Sequence, residues 1–217
     1  MLIDKLIYDV KESVRAYSND AVITNARILH LTDVLRAKYI RQHQQKNLGE
    51  NPYDYTQTLN VVLERVDRSA MPDKLLVEKQ VLRSVKELPR MLNRNYFKSV
   101  EVKPIDRLSM EIDYMSKQRA VYSMDESESY SCAFIDNDQR LYLTGGGTLF
   151  LFIKNVTLTC TLEVPIDIIA FNDMTTEITD YPLPEHIWSL MKPELLELLF
   201  KELNIPIDTV SDNKTIQ

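Results

Sequence analysis

The chain predicts an α+β fold in which N- and C-terminal helices flank a central antiparallel β-sandwich or barrel-like module. Apolar residues recur at helical spacing near the start, and short β-branched runs separated by turn residues and prolines fill the middle. Helical spacing then returns between Pro184 and Leu203.

Leu2, Leu6, Val10 and Val14 stand four apart with charges between them, the pattern of a short amphipathic helix that Ser18, Asn19 and Asp20 interrupt. A longer helix is expected from Thr24, an N-cap residue type. It places Ile28, Leu31, Leu35 and Tyr39 on one face and Arg27, Asp33, Arg36 and Arg41 largely elsewhere. Residues 47–55, with Gly49 and Pro52, read as a loop and domain boundary.

Strands are expected at 59–63, 81–85 and 100–102, spaced by Pro72, Pro89 and Pro104. More follow at 129–135, 140–144, 149–153 and 156–164, with Asn137-Asp138 and Gly145-Gly146-Gly147 as turns. Thr157, Thr159, Thr161 and Glu163 alternate with Leu158, Cys160, Leu162 and Val164, giving one wet and one buried face. A polar connection with Asn172, Asp173 and Thr176 leads to Tyr181-Pro182-Leu183-Pro184, where Pro184 suits a helix's first turn. Pro193 is a starting point for a second helical segment. The expected organisation is a helical segment over 1–50, a β-module over 51–170, helices over 171–207 packing with the N-terminal ones, and a flexible tail over 208–217.

A chain of 217 residues buries roughly 70% of its unfolded surface and folds without a metal or disulfide staple. Its 44% hydrophobic and 27% charged residues are those of a globular protein. The net charge of -6 argues against a dominant nucleic-acid surface, which relies on clustered cations. Cys132 and Cys160 lie in strand-like surroundings without a CxxC pair and read as buried thiols of a reducing compartment. Charges interrupt every apolar stretch near Met1, so no signal peptide is expected, and the run 149–153 is far too short to cross a bilayer.

The chain carries no catalytic signature. Gly145-Gly146-Gly147-Thr148 lacks the lysine and following helix of a phosphate loop and reads as a hairpin tip, with a contact loop as the sharper reading. The oxygens of 125–128 and of Asp136-Asn137-Asp138 lack calcium-loop spacing. His30, His43 and His186 fall on separate elements. No catalytic residue, cofactor or metal is therefore expected. Arg36, Lys38, Tyr39 and Arg41 offer long side chains suited to a polar interface, and Gly145, Gly146 and Gly147 are candidate contact residues beside them.

Three stretches carry a resemblance: the segment from Ser18-Asn19-Asp20 to Leu29, then Arg36-Ala37-Lys38-Tyr39-Ile40-Arg41 with Lys46-Asn47, and finally Tyr181-Pro182-Leu183-Pro184 through Leu203 with the acidic tail 208–213. In order and spacing they resemble the ring, or head-to-tail connector, proteins stacked beneath the portal of crAss-like tailed phages. Residues 122–130 depart from that pattern in being more acidic and serine-rich. The resemblance implies a non-enzymatic virion structural protein in a ring of identical subunits, twelve by analogy with portal symmetry. Helices would pack between subunits and the β-module would face an adjoining ring. Its implied partners are further copies of itself, the portal and neighbouring tail proteins, with the genome passing through without sequence-specific binding. Assembly would take place in the bacterial cytoplasm, without a membrane. The competing reading is a receptor- or glycan-binding module using Tyr114, Tyr122, Tyr130 and Tyr142, and it is decided by whether these rings are core or crown an exposed end. A third reading, a hydrolase assembled only in three dimensions, requires a pocket with perturbed carboxylates.

Overall fold

A computed structural model describes residues 1–17, 22–46, 55–66, 80–92, 100–105, 112–123, 131–145, 149–174 and 180–203. The expected loop at 47–54, the acidic stretch 125–128, Gly146, Gly147, Thr148 and the tail 208–217 lie outside the described residues. The chain divides into two compact units, one made of 1–48 with 179–217, the other of 49–178.

In the first unit, α1 (Ile3–Arg15), α2 (Asn25–Lys46) and α5 (Glu185–Glu202) pack against one another. Leu6, Val10 and Val14 form the buried stripe of α1. Thr24 caps α2, its Oγ1 accepting from the Arg27 amide at 3.3 Å. On α5, Ile187, Trp188, Met191, Leu195 and Leu199 point inward. Pro193 does not begin a second helix. It lies inside one continuous helix, where its missing N–H leaves the Ser189 carbonyl without its helical donor but does not end the element.

The second unit is a closed barrel, with strand order β1-β2-β6-β5-β4-β3-β7 returning to β1. The strands are β1 (Gln57–Arg65), β2 (Gln80–Ser84), β3 (Glu101–Pro104), β4 (Ile112–Tyr114), β5 (Ser131–Ile135), β6 (Leu141–Gly145) and β7 (Asn155–Cys160). The expected sandwich-or-barrel thus resolves as a barrel, and the antiparallel expectation holds for every strand pair except β4 and β5, which run parallel. Parallel neighbours need a crossover, and α3 (Lys117–Ser123) lies in it. Leu59, Val61, Leu63, Val102, Ile112, Tyr114, Ala133, Ile135, Leu141, Leu143, Val156, Leu158 and Cys160 alternate inward to fill the interior. A second cluster of Val66, Val81, Met115, Ala120, Cys132, Phe134 and Tyr142 forms on the other side of the wall, where α3 packs on β5.

Residues 149–153 were expected as a strand paired back across the glycines. Leu149–Phe152 instead winds into a 3-10 helix, and β6 and β7 are not neighbours. The connection must carry the chain from between β2 and β5 to between β1 and β3. Phe150 fills the barrel interior on the way. Gly145 is needed for packing rather than for a hairpin: a Cβ there would stand 2.6 Å from Ser131 Oγ and 2.8 Å from the Phe150 ring.

The turn at Asn137-Asp138 does form, joining β5 to β6. Gln139 adopts φ 60°, the left-handed position that follows a type I turn in a three-residue hairpin loop. A short helix α4 (Asp167–Phe171) follows β7, and the Asn172 side chain after it completes the β1 edge. Its Oδ1 accepts from the Asn60 amide at 2.9 Å and its Nδ2 donates to the Thr58 carbonyl at 3.1 Å, where β2 no longer reaches.

Candidate assembly surface

The sequence placed Arg36, Lys38, Tyr39 and Arg41 together on α2, and the structure separates them. Arg36 is fully buried, although its charge had suggested a position away from the apolar face. Ile28, Thr32, Arg36 and Ile40, spaced by four, are all without exposure, so two polar residues lie in the buried stripe itself. Each is satisfied there. Thr32 Oγ1 donates to the Ile28 carbonyl at 2.8 Å, and Arg36 Nε donates to the Pro182 carbonyl at 2.9 Å.

The Arg36 guanidinium also stands 5.8 Å from the centre of the buried Tyr181 ring, whose hydroxyl donates to Asp33 Oδ1. Burial lowers the pKa of Arg36, against the pull of Tyr181 and Asp33. Burial, aided by Asp33, holds the Tyr181 hydroxyl well above the usual phenol range. This cluster ties Tyr181 and Pro182 to α2, just before α5 begins.

Lys38 and Tyr39 face α5. The Lys38 ammonium donates to both carboxylate oxygens of Glu194, at 2.7 and 2.9 Å, and the Tyr39 hydroxyl donates to one of them at 3.1 Å. The Lys38 hydrogen bond is the main cause of the lowered Glu194 pKa. Arg27 makes a similar pair with Glu202 further along the same two helices. These pairs line the antiparallel seam of α2 and α5, and Val34 and Leu190, four residues before Lys38 and Glu194 on the same helices, are exposed. Arg41 is exposed.

His43 and His186, which the sequence left on separate elements, are brought together across this seam with 5.5 Å between ring centres. Among the described residues no group of three or more His, Cys, Asp and Glu is placed to hold a metal ion. The oxygens of Asp136 and Asp138 are engaged at their hairpin. Lys117 donates to Asp136 Oδ2 at 2.7 Å, and the Tyr142 hydroxyl donates to Asp138 Oδ2 at 2.6 Å.

The tyrosine platform of the receptor-binding reading is overturned where it can be seen. Tyr114 points into the barrel and Tyr142 is buried in the cluster that α3 covers, stacked on Phe134 at 5.4 Å. Tyr130 and the side chain of Tyr122 lie outside the described residues. Both cysteines are buried. Sequence reasoning missed Asn172 and the buried role of Arg36. The four-residue spacing of 28, 32, 36 and 40 was the available signal for Arg36.

A family model described as phage tail ring protein 2 matches residues 5–215. The chain belongs to that family. It is a crAss-like phage ring protein and hence a structural component of the virion, with self-association and tail proteins as its setting. A search of curated proteins finds no match to this ring protein. No helix among its described residues is long and apolar enough to cross a membrane.

Proposed function

We propose that this ring protein is a non-enzymatic subunit of the head-to-tail connector below the portal, assembled as a homododecamer in the host cytoplasm. The match to a ring-protein family over 5–215 carries the reading. In it, the helices of 1–50 and 171–207 make lateral contacts, the β-module of 51–170 faces an adjoining ring, and the portal and neighbouring tail proteins are its further partners. Lys38, Tyr39, Arg41 and the segment from Gly145 to Gly147 contribute contacts. Arg36 acts indirectly, because it holds Pro182 and so sets the position of α5 against α2. The net charge of -6 suits a channel wall, since a surface that attracted phosphates would retard the passing genome without reading its sequence.

The test separates the buried arginine from the exposed one. Arg36→Ala removes a fully buried side chain and leaves the Pro182 carbonyl without its donor, so it should lower unfolding stability by about 2–4 kcal/mol. Lys38→Ala with Arg41→Ala removes a solvent-exposed pair with Glu194, so it should lower the melting temperature by no more than a few degrees and yet reduce incorporation into tails. Wild-type incorporation and salt sensitivity of that double variant would reject the α2 contact. A native mass of the detached ring that does not equal twelve subunits would reject the dodecamer.

A further inference from the structure

Among the described residues, the outer face of the β1–β7–β3 wall is polar except along one row. Val62 of β1 lies opposite Asn155 of β7 on one side, and on the other its carbonyl accepts from the Val85 amide at 2.9 Å. The Ile105 amide, just past β3, donates to the Asn155 carbonyl at 3.1 Å. Residues directly opposite each other in antiparallel strands point to the same face, so Val85 just past β2, Val62 on β1, Asn155 on β7 and Ile105 just past β3 form one outward row, apolar at every position but Asn155. Val62 is 55% exposed, Val85 44% and Ile105 45%, and Phe152, three residues before Asn155, is 68% exposed.

The neighbouring positions on this wall are polar. On one side of the row the half-buried pair of Arg83 and Glu64 closes at 2.6 Å. On the other, Asn60 and Lys103 stand opposite Thr157. The alternation that makes this wall wet therefore fails at one register position, at Val62 within β1 and at Val85 and Ile105 just past the ends of β2 and β3.

Burial among the described residues does not account for that failure, since these side chains remain exposed. Nor does backbone pairing at this position, because the Val62 carbonyl already accepts from Val85 and the Asn155 carbonyl from Ile105. We propose that this row is the apolar centre of a contact between copies of this chain, so that barrel walls as well as helices join neighbouring subunits.

The occupant follows from ring geometry and from area. This inference rests on the ring reading above: a ring of identical chains closes only if every copy meets another through two different faces. A row of this kind is on the order of 300 Å², the scale at which an exposed apolar patch on a monomer is often functional. It is smaller than the roughly 800 Å² that each side of a stable interface contributes, so a polar surround must join it. The flanking Glu64, Arg83, Lys103 and Asn60 supply that surround, giving the apolar centre and polar rim of a protein interface.

The test places the photo-crosslinker p-benzoylphenylalanine at Val62 or at Ile105 of the full chain in assembled tails, with Thr58, four residues along β1 from Val62, and Arg41 as comparison positions. Adducts at multiples of the 25.3 kDa chain are expected from 62 and 105 and not from 58. Adducts to a different tail protein from 62 and 105 would overturn the inference. So would no adduct from them while 41 yields self-adducts, and in that case the ring reading stands. No self-adduct from any position, together with a single-copy mass for the chain released from tails, would overturn the ring reading itself. A second measurement covers the chain in isolation: Val62→Asp with Ile105→Asp should cut the assembled fraction at least tenfold while leaving the melting temperature and circular dichroism as in the wild type. Unchanged assembly would reject the contact.

Discussion

The β5–β6 wall and the β1–β7–β3 wall belong to one barrel and share its interior, yet their outer faces meet different surroundings. Every residue of β5 and of β6 is buried, because Cys132, Phe134, Tyr142 and Thr144 on the outside are covered just as Ala133, Ile135, Leu141 and Leu143 are on the inside. On β7 burial alternates, with Asn155, Thr157 and Thr159 outward. The physical difference among the described elements is α3, which together with Val66, Val81 and Met115 covers the first wall. The same apolar residue type therefore has two meanings. Outward Phe134 is core, whereas outward Val62 is surface.

The largest effect that sharpens this comparison is expected on the covered wall. Phe134→Ala should lower stability by about 3–5 kcal/mol, seen as a shift in the urea midpoint, since it opens a cavity under α3 and ends the stack with Tyr142. An effect below about 1 kcal/mol would mean that α3 does not hold this face closed.

Gly145→Ala comes next, at about 1–3 kcal/mol, because the new methyl would stand 2.6 Å from Ser131 Oγ and 2.8 Å from the Phe150 ring. Combining it with Ser131→Ala should recover only part of the loss, as the ring remains.

Alkaline pH should also distinguish buried from exposed groups. Burial pushes the Cys160 thiol from 9.0 up to about 12. Burial, followed by the hydrogen bond to Asp138, raises Tyr142 from 10.0 to about 12. Both groups ionise earlier in the unfolded chain, so stability present below about pH 9 should be lost as pH rises toward about 12. Cys160→Ala should flatten the first part of that decline, between about pH 9 and 10, where thiols ionise in the unfolded chain before tyrosines do. A decline of wild-type steepness in that variant would assign it to other groups.

The smallest effect is expected on the open wall. Val62→Ala should change the unfolding midpoint of the isolated chain by no more than about 0.5 kcal/mol. A loss approaching that of Phe134→Ala would show that the two walls are equally covered.

Legibility followed the same division. The open wall could be read because water enforces alternation, as in Thr157, Leu158, Thr159 and Cys160. The three-residue β4 was missed because so short a run carries no period, and α3 and α4 span only seven and five residues. The strand expected at 149–153 failed because Leu-Phe-Leu-Phe is equally apolar in a strand or a helix, and only the need to cross the barrel end selects the 3-10 form. Of the candidate contact residues, Lys38 and Tyr39 kept a polar role at the surface and Arg36 proved internal. A buried arginine is legible only once the carbonyl that satisfies it, Pro182, is known to lie nearby.

The sequence by itself determined the class of fold, the order of the terminal helices and most strands, the buried cysteines, and the family resemblance, because each rests on local period or on residue order along the chain. The tertiary structure decided that the sheet closes, that β4 and β5 run parallel, that Gly145 serves packing, that Arg36 is buried, and that three apolar residues from separate stretches of the chain fall in one outward row. Those outcomes depend on register between strands distant in sequence, and register arises only when pairing, crossover and side-chain volume are satisfied together.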